Sequence, residues 1–160
     1  MKKPAFVITL LTVISITAHS QWVTQSSGIA ASIIQSVFFT NASTGYAVGN
    51  LGIILKTSNG GTNWTAQTSG TTNDLFEVCF TDNDTGYAVG YMGTVLKTTN
   101  GGINWVAQNS GTTNQLSSVN FIDAATGYAA GGAFQVSRIL KTTDGGANWA
   151  TQTTTANNQL

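Results

Sequence analysis

The sequence predicts an all-β fold: three four-stranded antiparallel blades of a β-propeller that stop short of a closed ring. Three observations carry this. Two segments recur three times each at near-constant spacing. Every copy divides into short apolar runs separated by glycine- and asparagine-rich turns. No stretch beyond residue 20 shows the 3.6-residue apolar period of an amphipathic helix.

The first segment is Thr44-Gly45-Tyr46-Ala47-Val48-Gly49, which recurs at residues 85–90 and, with Ala130 in place of the valine, at 126–131, at offsets of 41 and 41. The second is Leu55-Lys56-Thr57-Ser58-Asn59-Gly60-Gly61-Thr62-Asn63-Trp64. It returns at residues 96–105 and 140–149, at offsets of 41 and 44. The additional residues of the last copy fall between Gly131 and Ile139. Gln67, Gln108 and Gln152 each follow a tryptophan by three positions, and Trp22 with Gln25 repeats that pairing ahead of the first full copy. Four-stranded units of this length match the propeller-blade period of roughly 40–50 residues.

Each element follows from local pattern. Strand one of a copy carries apolar residues at alternate positions: Val37 and Phe39, Val78 and Phe80, Val119 and Phe121. Strand two is the Gly-Tyr-Ala segment. Strand three covers residues 53–57, with Val95-Leu96 and Ile139-Leu140 as counterparts, and strand four begins at the tryptophan. Between them lie Asn59-Gly60, Asn100-Gly101 and Asp144-Gly145, which predict tight hairpins because both residue types tolerate positive φ. The blades are expected at approximately residues 30–70, 71–111 and 112–154.

Residues 1–20 read as a signal peptide. Lys2 and Lys3 precede an apolar run at 5–16, and Ala18-His19-Ser20 supplies small residues for cleavage before Gln21. As a helix that run spans roughly 18 Å, short of the ~30 Å hydrocarbon core, so no integral membrane segment is expected in the mature chain. A secreted, periplasmic or cell-surface location follows. The mature chain, residues 21–160, then has no histidine and no proline. Its bases are Lys56, Lys97, Arg138 and Lys141, against Asp74, Glu77, Asp82, Asp84, Asp123 and Asp144. That slightly acidic balance gives no footprint for nucleic acid. Cys79 is alone, so no internal disulfide can form.

Thr57, Asn59, Gly61, Asn63 and Trp64 resemble the Asp-box, or bacterial neuraminidase repeat, of pattern Ser/Thr-x-Asp-x-Gly-x-Thr-Trp. Thr98, Asn100, Gly102, Asn104 and Trp105 form the second box; Thr142, Asp144, Gly146, Asn148 and Trp149 form the third. Only the third keeps the aspartate, and asparagine can accept the same local backbone hydrogen bonds. The Gly-Tyr-Ala-Val-Gly strand followed by a Leu-Lys-Thr-Thr-Asn-Gly-Gly-x-x-Trp box is similar to the photosystem II assembly/stability factor branch of these propellers. The resemblance implies a folded hairpin on the outer edge of each blade. The boxes are expected to be scaffold, since a feature present in every blade does not by itself build one asymmetric site.

Catalysis is not expected. The sialidases that share Asp-boxes are implied to hold their substrate's carboxylate with three arginines, and this chain has one, Arg138. Glu77 occupies the slot of Ser36 and Ser118, a position expected to face solvent. Asp82 and Asp84 flank a turn and read as turn formers. A sialidase-like glycoside hydrolase fragment is therefore the least favoured function. Cys79 stands where Phe38 and Asn120 stand, with no histidine to activate it. No metal and no cofactor are expected. Tyr46, Tyr87 and Tyr128 read as blade packing.

Binding remains. The loops joining strands two and three share a face, and there the copies differ: Asn50-Leu51 becomes Tyr91-Met92, and the third copy has Phe134, Gln135 and Arg138 in a longer loop. These residues are the candidate binding face. The expected function is a non-catalytic exported scaffold, or a module for an unknown protein or glycan, with an assembly factor like the photosystem II member as the alternative. A propeller closes with roughly four to eight blades. Three blades are thus expected to be the front part of a longer propeller, or else to self-associate.

Overall fold

The structure is a computed structural model that describes residues 32–133 and 136–152. The expected signal peptide, the Trp22–Gln25 pair, Phe134 and Gln135 lie outside the described residues. Twelve strands form three antiparallel sheets. The first holds β1 (Ile34–Phe39), β2 (Gly45–Gly49), β3 (Ile54–Thr57) and β4 (Thr65–Gln67). The second holds β5 (Leu75–Phe80), β6 (Gly86–Gly90), β7 (Val95–Thr98) and β8 (Val106–Gln108). The third holds β9 (Leu116–Phe121), β10 (Gly127–Ala133), β11 (Val136–Thr142) and β12 (Ala150–Gln152). Within each sheet the strands run in chain order, the meander of a propeller blade.

Strand β1 packs on β5 and β5 on β9 across the sheet junctions, whereas the main contacts of β4, β8 and β12 lie within their own sheets. The first strands therefore line the inside of the arc. Each has an irregularity in register, between Ile34 and Ser36, between Leu75 and Glu77, and opposite Ala130 and Gly131. This explains the second glycine of Gly-Tyr-Ala-Val-Gly. A Cβ on Gly49 would lie 2.0 Å from the Ile33 carbonyl oxygen, and one on Gly90 2.0 Å from that of Asp74. The leading glycine is explained by the ring laid over it: a Cβ on Gly86 would meet Phe80 at 2.5 Å.

The core lies between sheets. Tyr46, Val48 and Ile54 of the first sheet pack on Leu75, Val78, Ala88, Leu96 and Trp105 of the second. Tyr87, Val89 and Val95 pack in the same way on Leu116, Val119, Ala129 and Leu140 of the third. The alternate apolar residues of the first strands thus face the preceding sheet, which buries Val78 and Val119. At the front of the arc Val37 and Phe39 are exposed, while Ala47 and Leu55 are buried.

Polar groups lock the same junctions. The Tyr46 hydroxyl and the Lys56 ammonium both donate to the Gly101 carbonyl, at 2.9 and 2.7 Å. Tyr87 and Lys97 both donate to the Gly145 carbonyl, at 2.8 and 2.7 Å. The Tyr46 ring stacks on Phe80 at 4.0 Å, and Trp105 meets Phe80 edge-on at 6.0 Å. Tyr87, Phe121 and Trp149 repeat that arrangement.

Three expectations need correction. Glu77 is half-buried and accepts the Val119 amide, tying β5 to β9, as Ser36 Oγ accepts the Val78 amide one junction earlier. The slot faces the neighbouring sheet because the first strands converge on the inside of the arc. The box turns are not two-residue Asn-Gly hairpins: positive φ falls on the paired glycines, Gly60–Gly61, Gly101–Gly102 and Gly145–Gly146. Finally, the fourth strands begin one residue after the tryptophan, whose ring turns in against strand one.

Candidate functional site

In each box the threonine hydroxyl organises the turn. Thr57 Oγ1 accepts the Gly61 amide at 3.0 Å and donates to Asn59 Oδ1, which in turn accepts the Asn63 amide at 2.9 Å. Thr98, Asn100, Gly102 and Asn104 repeat this. In the third box Asp144 adds a bond, because its second oxygen accepts Asn148 Nδ2 at 2.8 Å. An asparagine presents an amide nitrogen there, which cannot accept. Those bonds from Asn148 and Thr142 hold the Asp144 carboxyl down at about 2. The five residues of each box are thus engaged within their own turn or against strand one. The carbonyls of Gly101 and Gly145 face the preceding sheet.

The turns between first and second strands are closed by Asn41, Asp82 and Asp123. Asp82 Oδ1 accepts the Asp84 and Thr85 amides at 2.7 and 2.6 Å, and the carboxyl is held below its usual range by them. Asp123 does the same with Ala125 and Thr126. Such carboxylates are satisfied turn caps. No cluster of histidine, cysteine, aspartate and glutamate suited to a metal occurs among the described residues. Cys79 is buried between the second and third sheets, and burial with the Glu77 charge pushes its thiol up to about 12. A thiol so held is a poor nucleophile.

The opposite face carries the exposed apolar groups. A 3-10 turn at Asn50–Gly52 joins β2 to β3, and another at Tyr91–Gly93 joins β6 to β7. Their central residues adopt left-handed backbone, Leu51 at φ 58 and Met92 at φ 54. That conformation is uncommon for long side chains and is held by its surroundings. Asp74, just ahead of β5, supplies the hold. Its carboxylate accepts the Leu51 amide at 2.8 Å, and its backbone carbonyl accepts the Tyr91 amide at 2.8 Å. One residue therefore bonds both turns, beside the backbone bonds within each, and Leu51, Tyr91 and Met92 stand 72%, 52% and 55% exposed. Beside Met92 a shallow depression is lined by Thr71, Asn73, Asn109, Ser110 and Thr112. Asn50 accepts Gln35 Nε2 at its side-chain oxygen.

In the third sheet β10 and β11 extend in register to Ala133 and Val136, which replaces the 3-10 turn and leaves Arg138 exposed on β11. The structure brings Leu51, Tyr91 and Met92 onto the two turns that Asp74 ties together. Asp74 itself was not singled out from the sequence. The Leu51-Gly52 and Met92-Gly93 steps gave no sign of left-handed backbone, since the glycine is the residue expected to take it.

A family model described as photosynthesis system II assembly factor YCF48 matches residues 14–105 and again 67–160. The chain belongs to that family. Among solved structures, one described as YCF48 bound to D1 peptide matches with a TM-score of 0.64 at 23% identity, over 75% of this chain and 40% of the other. YCF48 from Cyanidioschyzon merolae matches with a TM-score of 0.62 at 22% identity, over 75% of this chain and 37% of the other. A GH74 enzyme of Niastella koreensis gives 0.59 at 21% identity, over 74% and 22%. At these identities the likeness is one of fold. The chain spans 40% or less of the length of these structures. No curated protein matches.

Outside residues 1–20 the chain has four basic residues, and two of them are committed to the sheet junctions. Lys56 and Lys97 bond box carbonyls at the sheet junctions, leaving Arg138 and Lys141.

Proposed function

We propose that this chain is a non-catalytic, exported YCF48-type propeller segment that captures a protein segment on the face bearing Leu51, Tyr91 and Met92. The observation that carries the reading is the Asp74 clamp. It bonds the amide of Leu51 and that of Tyr91 beside Met92, and Leu51 and Met92 stand on left-handed backbone at a cost of about 1–3 kcal/mol per residue. Exposed apolar groups on strained backbone beside polar turn groups suit an extended peptide better than a sugar, whose hydroxyls need more polar partners. The related YCF48 structure, described as bound to D1 peptide, points the same way. The absence of catalysis is supported by five of the six acids outside residues 1–20: Asp74, Glu77, Asp82, Asp123 and Asp144 each accept backbone amides.

The second reading, an assembly factor like the photosystem II member, is supported by the family match over both halves of the chain. Glycan capture is kept as an outcome of the test. Selection from a random peptide display library, run beside a glycan array, separates the readings. Enriched peptides that are lost with Tyr91→Ser and Met92→Ser, at an unchanged thermal midpoint, support peptide capture. Array ligands without peptides favour glycan, and no enrichment on either removes the binding reading.

A further inference from the structure

The box turns carry a chemistry that the binding face does not use. Their central steps are Asn59-Gly60, Asn100-Gly101 and Asp144-Gly145, and no other asparagine of the sequence precedes a glycine. Such a step is prone to cyclise, because glycine has no side chain to shield its amide nitrogen and leaves the backbone free to turn. The nitrogen attacks the asparagine Cγ and a C–N bond forms. The carboxamide nitrogen leaves as ammonia, taking the glycine N–H proton with it. Water then opens the cyclic imide at either carbonyl, giving aspartate or isoaspartate.

The folded boxes hold both reacting groups. The Gly60 amide donates to the Ser43 carbonyl at 2.8 Å, and the Gly101 amide to the Asp84 carbonyl at 2.9 Å. Each nitrogen is thus engaged by the turn between the first two strands of its sheet. The carboxamides are engaged within their own boxes. Asn59 Oδ1 accepts the Thr57 hydroxyl and the Asn63 amide, and Asn100 Oδ1 accepts the Thr98 hydroxyl and the Asn104 amide. Gly101 is tied further through its carbonyl, which takes Tyr46 and Lys56.

The third box shows how an aspartate sits in this turn. Asp144 Oδ1 takes the same two donors, from Thr142 and Asn148, and Oδ2 accepts Asn148 Nδ2 at 2.8 Å. Asn63 and Asn104 occupy the place of Asn148 in the other boxes. Isoaspartate does not fit in this way. It runs the main chain through Cγ, which lengthens the backbone spanned by the bond from the Gly102 amide to Thr98 Oγ1 and draws the carboxylate in toward Cα.

We propose that Asn59 and Asn100 are modification sites, each closed by its own folded box. They convert when that box opens, and refolding retains the aspartyl product and rejects the isoaspartyl one. Successive openings carry the first two boxes toward the form of the third.

Incubation of the full chain in mildly alkaline buffer, with and without guanidinium, tests this by peptide mapping with mass spectrometry. Conversion at both sites is expected to be at least about tenfold slower without denaturant. Thr98→Val removes the hydroxyl that holds Asn100 Oδ1 and the Gly102 amide. It should raise native conversion of Asn100 about tenfold over that of Asn59 in the same molecule. If that variant does not fold, the parent chain with and without denaturant still decides. Chains converted in denaturant are then refolded, and the folded fraction is isolated by size exclusion. It should keep aspartate at both positions and be depleted in isoaspartate about tenfold. Equal conversion with and without denaturant overturns the proposal. So does a Thr98→Val effect equal at both sites, or isoaspartate kept in equal share in the folded fraction.

Discussion

The Tyr46 hydroxyl reaches across the first sheet junction to the Gly101 carbonyl at 2.9 Å, and that same oxygen takes the Lys56 ammonium at 2.7 Å. Desolvation raises the Tyr46 phenol above its usual range and that of Tyr87 to about 12, so both remain protonated donors at any ordinary pH. The junction is thus a packed aromatic pair closed by a two-donor lock on one peptide oxygen.

Removing one donor should hurt less than removing both. Tyr46→Phe keeps the stacking on Phe80 and is expected to cost about 1 kcal/mol. Lys56→Met is expected to cost somewhat more, about 1.5–3 kcal/mol, since its bond is charge-assisted. Together they leave the buried Gly101 carbonyl without either donor. A double-mutant cycle by denaturant unfolding should then give a coupling of at least about 0.5 kcal/mol beyond additivity. Simple additivity would mean that the two donors act independently.

The boxes offer a matched pair for close approach between sheets. Gly61 and Gly102 share left-handed backbone, at φ 87 and 83, so alanine strains both alike. At Gly102 the new Cβ would also meet Tyr46 Cε1 at 2.9 Å, while at Gly61 nothing lies nearer than 3.8 Å. Gly102→Ala should therefore lose about 1–3 kcal/mol more than Gly61→Ala. Equal losses would place the whole penalty in the turn, and the junction would be shown to yield.

Much of this was legible in the sequence, for a physical reason. Three near-copies of one four-strand unit force the same backbone pairing three times, so repeat spacing alone gave the blade plan. The boxes were legible too, because threonine, asparagine and glycine satisfy their own turn locally. What could not be read concerns groups that act across junctions. Glu77 looked like a surface residue until β5 and β9 were brought together at the Val119 amide. Lys56, Lys97 and Lys141 recur on strand three of every copy, and a lysine placed between packed sheets needs an acceptor from elsewhere. The Asp74 clamp joins two turns that lie some forty residues apart in the chain, and no local pattern announces it.

Acid should act on the third box differently from the others. The Asp144 carboxyl sits at about 2 in the folded chain against an ordinary value of 3.8, because the bonds from Asn148 and Thr142 favour its charged form. A depressed carboxyl contributes stability that is complete above the unfolded value and is lost as pH falls through the folded one. Asp144→Asn should thus lower the unfolding midpoint at pH 7 and narrow that deficit between about pH 4 and 2. Asn100→Asp should do the reverse, gaining a bond from Asn104 at neutral pH that fades over the same interval. A pH-independent effect for both would show that the second oxygen contributes nothing.

Burial sets the behaviour of Cys79. With its thiol pushed up to about 12 and little surface, it should resist a thiol-specific reagent at pH 8 in the native state. Labelling should rise in step with denaturant unfolding and follow the opening equilibrium at lower concentrations. Rapid native labelling would indicate that the junction between the second and third sheets opens readily.

The sharpest separation of stability from binding lies at the two left-handed residues. Leu51→Gly and Met92→Gly remove a left-handed penalty of about 1–2 kcal/mol per residue, against roughly 0.5–1 kcal/mol of added chain entropy. Both side chains are more than half exposed, so little burial is lost. Each variant is therefore expected to hold or raise stability by up to about 1 kcal/mol, while the pair loses peptide capture. That opposition is what a strained recognition surface requires, because the same φ that weakens the fold presents the apolar group. Should the glycine variants keep full capture, the side chains are not the contact. Should they unfold more easily, the turns are held by packing rather than by the Asp74 clamp.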